Sequence, residues 1–200
     1  MWQQFEKNNP GHLHVVYGTD SSVRGYADKD FGQNIAWDDP MLTGYNYTVL
    51  NCGNGPFGKW GSLTGDGVKE ILDKIKPDVV LLVGLNYKYD LVAYYNAVRK
   101  GMPVWLRCET QDYGTYRSPL KSPLRSLIYR TGYLKMSRIF YIGELNKKHY
   151  LDHGVPESVL KPARYGTLDR FQSMNKEYKA ELRLKTRDQA GISSSSFVVG

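Results

Sequence analysis

The chain is expected to fold as an α/β protein, with a parallel sheet flanked by helices. Three observations predict this. Short apolar runs rich in aromatic and β-branched residues alternate with segments of helical period, the pattern of βαβ units. One run, residues 79–85 (VVLLVGL), carries no polar residue, as a strand covered on both faces should. Hydrophobic residues make up 41% of the 200, enough for the core of one ordinary domain or one and a fraction.

The elements follow in order. Residues 2–5 look like the end of a helix, and 12–19 (HLHVVYGT) read as a strand. Residues 31–47 (FGQNIAWDDPMLTGYNY) show no core-like periodicity and read as a long loop. Residues 45–51 (YNYTVLN) return to strand composition. Val68, Ile71, Leu72 and Ile75 make a helical stripe that Pro77 and Asp78 end. The buried strand 79–85 follows. Asp90 suits the N-cap of a helix bearing Leu91, Tyr94, Tyr95 and Val98 on one face, with Gly101 as its stop. Residues 102–108 (MPVWLRC) form a strand, then come a long loop and a helix near 123–136. Residues 138–142 are a strand, and 147–152 a helix ended by Gly154. Residues 176–187 are a charged helix, 193–196 a short polar linker, and a strand begins at 197–199.

Bulk properties exclude some functions. No apolar run is long enough to cross a bilayer, and the N-terminus lacks the basic and apolar regions of a secretory signal. Cys52 and Cys108 are too few for a disulfide framework and fit a reducing, cytoplasmic setting. The net charge of +7 suits anionic partners without choosing among them. Sixteen tyrosines suit a carbohydrate-contacting surface, since the ring packs on sugar C–H faces while the hydroxyl hydrogen-bonds. Core burial is the commoner role for any single one.

Several motifs need weighing. The long loop 31–47 concentrates Trp37, Asp38, Pro40, Gly44 and Tyr45, and long loops in compact domains are usually functional or disordered. So aromatic a loop does not read as disordered. Gly53, Gly55 and Gly58 match a dinucleotide fingerprint, and residues 53–59 match most of a phosphate loop. Trp60 stands where the phosphate loop needs Ser or Thr, and no helix opens on these glycines. A surface loop is expected there. His149 and His153 have the i, i+4 spacing of zinc ligands, but no third ligand or HExxH context accompanies them. A solvated helix end is expected, and no metal. Arg107, Glu109 and Thr110 close a predicted strand, where open parallel sheets place ligands. Glu109 there is an acceptor contact, a general base or half of a structural ion pair with Arg107. Residues 117–138 hold six basic side chains and no acid, with Leu124, Leu127, Ile128 and Leu134 interleaved. That segment is either a core-packed helix with a solvated basic face or a helix lying on anionic lipid. Nothing resembles a nucleic-acid-binding motif.

Trp37, Asp38, Pro40, Leu42, Gly44 and Tyr45 resemble the W-D-x-P-L-L-x-G-Y segment of one branch of glycosyltransferase family 4. Leu106, Arg107, Glu109 and Thr110 resemble its L-R-x-E-[ST] strand end. Tyr141, Ile142, Gly143, Asn146, Tyr150, Gly154, Val155 and Pro156 resemble its Y-I-G-x-x-N-x-x-Y-Y-x-x-x-G-V-P segment. Asp169, Arg170 and Phe171 resemble the end of its P-Y-x-x-D-x-x-R-F segment, although Arg164 stands where the family has proline before Tyr165. The order is the family's own, over roughly residues 12–200.

The resemblance implies the N-terminal, acceptor-side half of a GT-B fold, built from two Rossmann-like domains facing a cleft. It implies a retaining transfer from a nucleotide-sugar to a hydroxyl of a glycan, lipid-linked glycan or small molecule, with no metal or cofactor. Residues 1–172 would be the acceptor domain, lacking its first strand. Residues 173–196 would be a linker helix and polar linker, and 197–200 the start of the donor-binding domain. Trp37, Asp38, Gly44, Tyr45, Arg107 and Thr110 are the acceptor-binding candidates and Glu109 the catalytic candidate. The nucleotide-sugar would bind the second domain, so this chain alone should be inactive. The setting would be cytoplasmic, with residues 117–138 available to a membrane face. Two other classes stand beside this one: a non-catalytic Rossmann-like binding domain and a nucleotide-binding oxidoreductase.

Overall fold

A computed structural model describes residues 1–28, 32–36, 40–51, 58–112, 122–166 and 173–198. Parallel sheets flanked by helices make it an α/β protein of Rossmann-like type. The chain forms two compact units, Met1–Tyr165 and Gly166–Gly200.

The first unit opens with α1 (Trp2–Asn8), β1 (His14–Thr19) and the single turn α2 (Ser21–Arg24). A small antiparallel hairpin of β2 (Tyr26–Asp28) and β3 (Gln33–Ile35) precedes β4 (Asn46–Asn51). β4 pairs in parallel with β1, His14 opposite Asn46 and Val16 opposite Thr48. Then come α3 (Val68–Ile75), β5 (Val80–Leu82), α4 (Lys88–Arg99), β6 (Val104–Arg107), α5 (Ser122–Tyr133), β7 (Met136–Tyr141), α6 (Glu144–Asp152) and β8 (Leu160–Pro162). β5 to β8 lie side by side in chain order as a parallel ladder, each successive pair joined through a helix.

The core sits on this ladder. Val104, Leu106 and Ile139 of its central strands are fully buried, with Leu82 and Leu160 on either side. Leu72 of α3, Ala97 of α4, Tyr133 of α5 and Tyr150 of α6 complete the cluster. No ladder pairing joins β1 to β5 among the described residues. Side chains connect them instead. The Tyr89 hydroxyl, on the first turn of α4, donates to the Val16 carbonyl at 2.7 Å. Leu63 lies so close to Gly18 that a Cβ there would meet its Cδ1 at 3.0 Å.

Several expectations need correcting. The run 79–85 is not a fully buried strand: β5 is three residues long, and Val83 is exposed. Among the described residues β5 pairs on one edge, with β6. Asp90 is not the N-cap of α4 but its third residue, reaching back to accept from the N–H groups of Asn86 and Tyr87, both at 2.8 Å. The buried face of α4 is Ala93 and Ala97, whereas Leu91 and Tyr95 are exposed. Alanine ends at Cβ, so the helix can lie close on the sheet while Val92, Tyr94 and Val98 pack at its rim. The loop 31–47 is not wholly irregular, since its early residues form β3 with the segment just before it. Phe197 and Val198 form no strand, and Phe197 is 92% exposed. Val199 lies outside the described residues.

The second unit holds α7 (Lys176–Gln189), which buries no residue and starts on Asn175, whose side chain accepts from the Tyr178 N–H at 2.8 Å. No described helix is long and apolar enough to cross a membrane.

Candidate functional site at the C-terminal end of the sixth strand

Arg107 is the last residue of β6, opposite Phe140 of β7. Open parallel sheets commonly take ligands beyond the carboxyl ends of their strands, which makes this edge a candidate. Arg107 is nine-tenths buried. Its guanidinium lies on the ring of Tyr165, with Cζ 4.2 Å from the ring centroid, a close cation–π contact. The hydroxyl of that tyrosine donates to Oε1 of Glu109. One aromatic side chain therefore joins the two charged residues, which make no direct ion pair among the described residues. The bond to Glu109 raises the pKa of Tyr165, with smaller contributions from desolvation and from the charge of Glu109. Glu109 is exposed, and Oε2 has no partner among the described residues.

The segment after β6 is held by α6. Asn146 donates to the Thr110 carbonyl at 2.6 Å and accepts from the Ile142 N–H at 3.1 Å. It ties the end of β6 to the end of β7. Tyr150, fully buried, places its hydroxyl 3.1 Å from Sγ of Cys108, which also lies 3.1 Å from Oγ1 of Thr110. Burial raises the Tyr150 pKa, with Cys108 adding to the effect, so the phenol stays protonated. Asn146 and Tyr150 therefore position the strand-end residues between them.

Comparison with models of known protein families finds no match, and neither does comparison with curated proteins.

Arg107, Glu109 and Thr110 thus gather at one edge, together with Tyr165, which spacing along the sequence did not single out. The only signal of Tyr165 was its place after Arg164 in a motif where the family has proline. Gly44 and Tyr45 stand elsewhere, immediately before β4 and so at the N-terminal end of that strand. Gly44 has φ +77°, which favours glycine. The Tyr17 and Tyr45 hydroxyls are 2.6 Å apart, and Tyr45 donates to the Met41 carbonyl. From α1, Gln3 donates to the Pro40 carbonyl and to Oγ1 of Thr43, both at 3.0 Å. These bonds brace the loop, and none reaches the β6 edge. Trp37 and Asp38 lie outside the described residues, as do 52–57 of the glycine-rich stretch. From Gly58 to Gly67 that stretch is turns, and α3 begins only at Val68.

His149 and His153 do lie at the end of α6, but not in solvent. His149 is fully buried and His153 nearly so. Nδ1 of His149 lies 2.6 Å from Oδ2 of Asp112, and Nε2 lies 2.9 Å from the Tyr133 hydroxyl. Asp112 and the two histidines form the one group of potential metal ligands found among the described residues.

Proposed function

We propose that this chain is the acceptor-side part of a glycosyltransferase, moving a sugar from a nucleotide-sugar donor to a hydroxyl acceptor. The observation that carries the reading is Arg107. The residue is nine-tenths buried at a strand end, its guanidinium lies over the Tyr165 ring, and no described residue accepts a hydrogen bond from it. A guanidinium presents five N–H donors in a fixed fork, which suits an oxygen-rich ligand. The order of family-like segments, the parallel α/β fold and the aromatic wall of Tyr165 support the same reading.

In this reading Arg107 holds acceptor oxygens and Tyr165 offers an apolar face to the sugar ring. Glu109 holds the attacking hydroxyl through Oε2 on the face the diphosphate leaves, and the hydroxyl proton passes to the departing phosphate oxygen as the new bond to the anomeric carbon forms, which keeps its configuration. The nucleoside diphosphate leaves with the old glycosidic electron pair. In this reading the donor is held by a second domain. The test is made in a protein carrying both halves, with a panel of nucleotide-sugars. Glu109→Gln should lower turnover at least about tenfold, ~1.4 kcal/mol of barrier, with near-normal melting. Lost stability with activity intact would make Glu109 a structural residue and sink its assignment.

The same reading includes contact with an anionic membrane through α5. Leu124, Leu127 and Ile128, spaced as one helical stripe, are all exposed, with Arg125 and Arg130 on the same helix. This stripe is not packed in the core; the buried position of α5 is Tyr133. An apolar stripe on a basic helix suits insertion at a lipid headgroup boundary.

A further inference from the structure

We propose that Asp112, His149 and His153 form a binding site for one divalent transition-metal ion of the zinc class. Two imidazoles and a carboxylate are borderline ligands that suit zinc, cobalt or nickel over magnesium or calcium, which take oxygen sets. One ligand atom from each residue can be chosen so that all three lie within 4.8 Å of one another. Ligands about 2.0–2.2 Å from a tetrahedral ion sit roughly 3.3–3.6 Å apart. Oδ2 of Asp112 is 2.6 Å from Nδ1 of His149, under that spacing, and the wider limit of 4.8 Å for the set lies over it.

The surroundings are already those of a metal ligand's second shell. A ligating imidazole needs its other nitrogen held. For His149, ligation through Nδ1 places the proton on Nε2, where the Tyr133 oxygen accepts it at 2.9 Å. For His153, Nδ1–H can donate to the His149 carbonyl at 2.8 Å and leave Nε2 to the ion. Tyr129 meets both imidazole rings edge-on, at centroid distances of 4.9 and 5.0 Å, and restricts their rotation. Asp112 and His153 retain some side-chain exposure, at 26% and 10%, which gives an ion a way in. Among the described residues three ligands are at hand, which leaves a fourth tetrahedral position for a further ligand or water. The ion would fasten the segment after β6 to the last turn of α6, three residues beyond Glu109. The inference does not depend on sugar transfer.

The test is calorimetric titration of the chelator-stripped, purified chain with Zn²⁺, and with Co²⁺ followed by its visible absorption. One ion per chain is expected, with a nitrogen-containing, near-tetrahedral Co²⁺ spectrum. An excess of Mg²⁺ or Ca²⁺ should not compete. Asp112→Asn and His153→Ala should each weaken Zn²⁺ at least tenfold, with unchanged circular dichroism reporting an intact fold. Replacing His12 and His14, the other two histidines, should leave binding unchanged. No stoichiometric binding by the wild-type chain would overturn the proposal and leave the trio a hydrogen-bonded network. So would binding that survives both site variants, or that is lost with His12 and His14. Should a variant misfold, the wild-type stoichiometry and Co²⁺ spectrum still decide.

Discussion

Asn146 uses both ends of its amide, and each end answers a different strand. Its NH₂ satisfies the carbonyl of Thr110 beyond β6, and its oxygen satisfies the N–H of Ile142 beyond β7. Asn146→Ala strands both groups, so a loss of roughly 1–3 kcal/mol in denaturant unfolding is expected. Asn146→Asp keeps the acceptor for Ile142 and loses the donor for Thr110, so it should fall between wild type and alanine. A neutral alanine variant would show that water replaces both bonds. Asn146 and Tyr150 were visible in the sequence only as parts of a resemblance, without a role. The fold supplies that role. Tyr165 was harder to see, because it meets Glu109 across 56 residues and no local pattern encodes that distance.

At the scale of elements, α5 makes the sharpest prediction. With Leu124, Leu127 and Ile128 turned outward, vesicle binding should rise with anionic lipid and fall with salt, since charge attraction is screened within about 10 Å at 0.1 M. Leu127→Ser should weaken sedimentation with anionic vesicles and spare the melting temperature, because the side chain is already exposed. Equal sedimentation with neutral and anionic vesicles would exclude electrostatic docking. Elements whose pattern is local were legible. α3 spans the expected 68–75 because its stripe, Gly67 before it and Pro77 after it all lie within one window. Lys76 closes that helix in the left-handed conformation at φ +50°, its N–H bonded to the Leu72 carbonyl. α4 was misread at its faces because a scale of hydrophobicity favours Leu91 and Tyr95 over alanines. Asp112 could not be found from the histidine spacing, since it is 37 residues from His149 and joined only by the fold.

For the whole molecule, tyrosine burial sets an alkaline limit. Desolvation is the first cause of the raised pKa of Tyr17, Tyr89 and Tyr94, and Tyr89 is pushed up to about 12. A phenol with a higher pKa folded than unfolded keeps its proton longer in the native chain. Its contribution is complete below the unfolded value of about 10 and is lost as pH rises through the folded value. Melting temperature should therefore drop above pH 10, and Tyr89→Phe should flatten that drop. A group of tyrosines should ionise only on unfolding, seen as a step in tyrosinate absorbance. A melting temperature independent of pH in that range would contradict the assignment.

Among the described residues the two parallel ladders are stitched by the Tyr89 hydroxyl and by the contact of Leu63 with Gly18, without a shared backbone ladder. Side-chain stitches of this kind can part without tearing a ladder. Native-state hydrogen exchange should then resolve two cooperative openings, with amides of β1 and β4 exchanging at lower free energy than those of β6 and β7. Tyr89→Phe should lower the first opening and leave the second in place, so that a fragile flap is loosened while the strands beneath the Arg107 edge keep their protection.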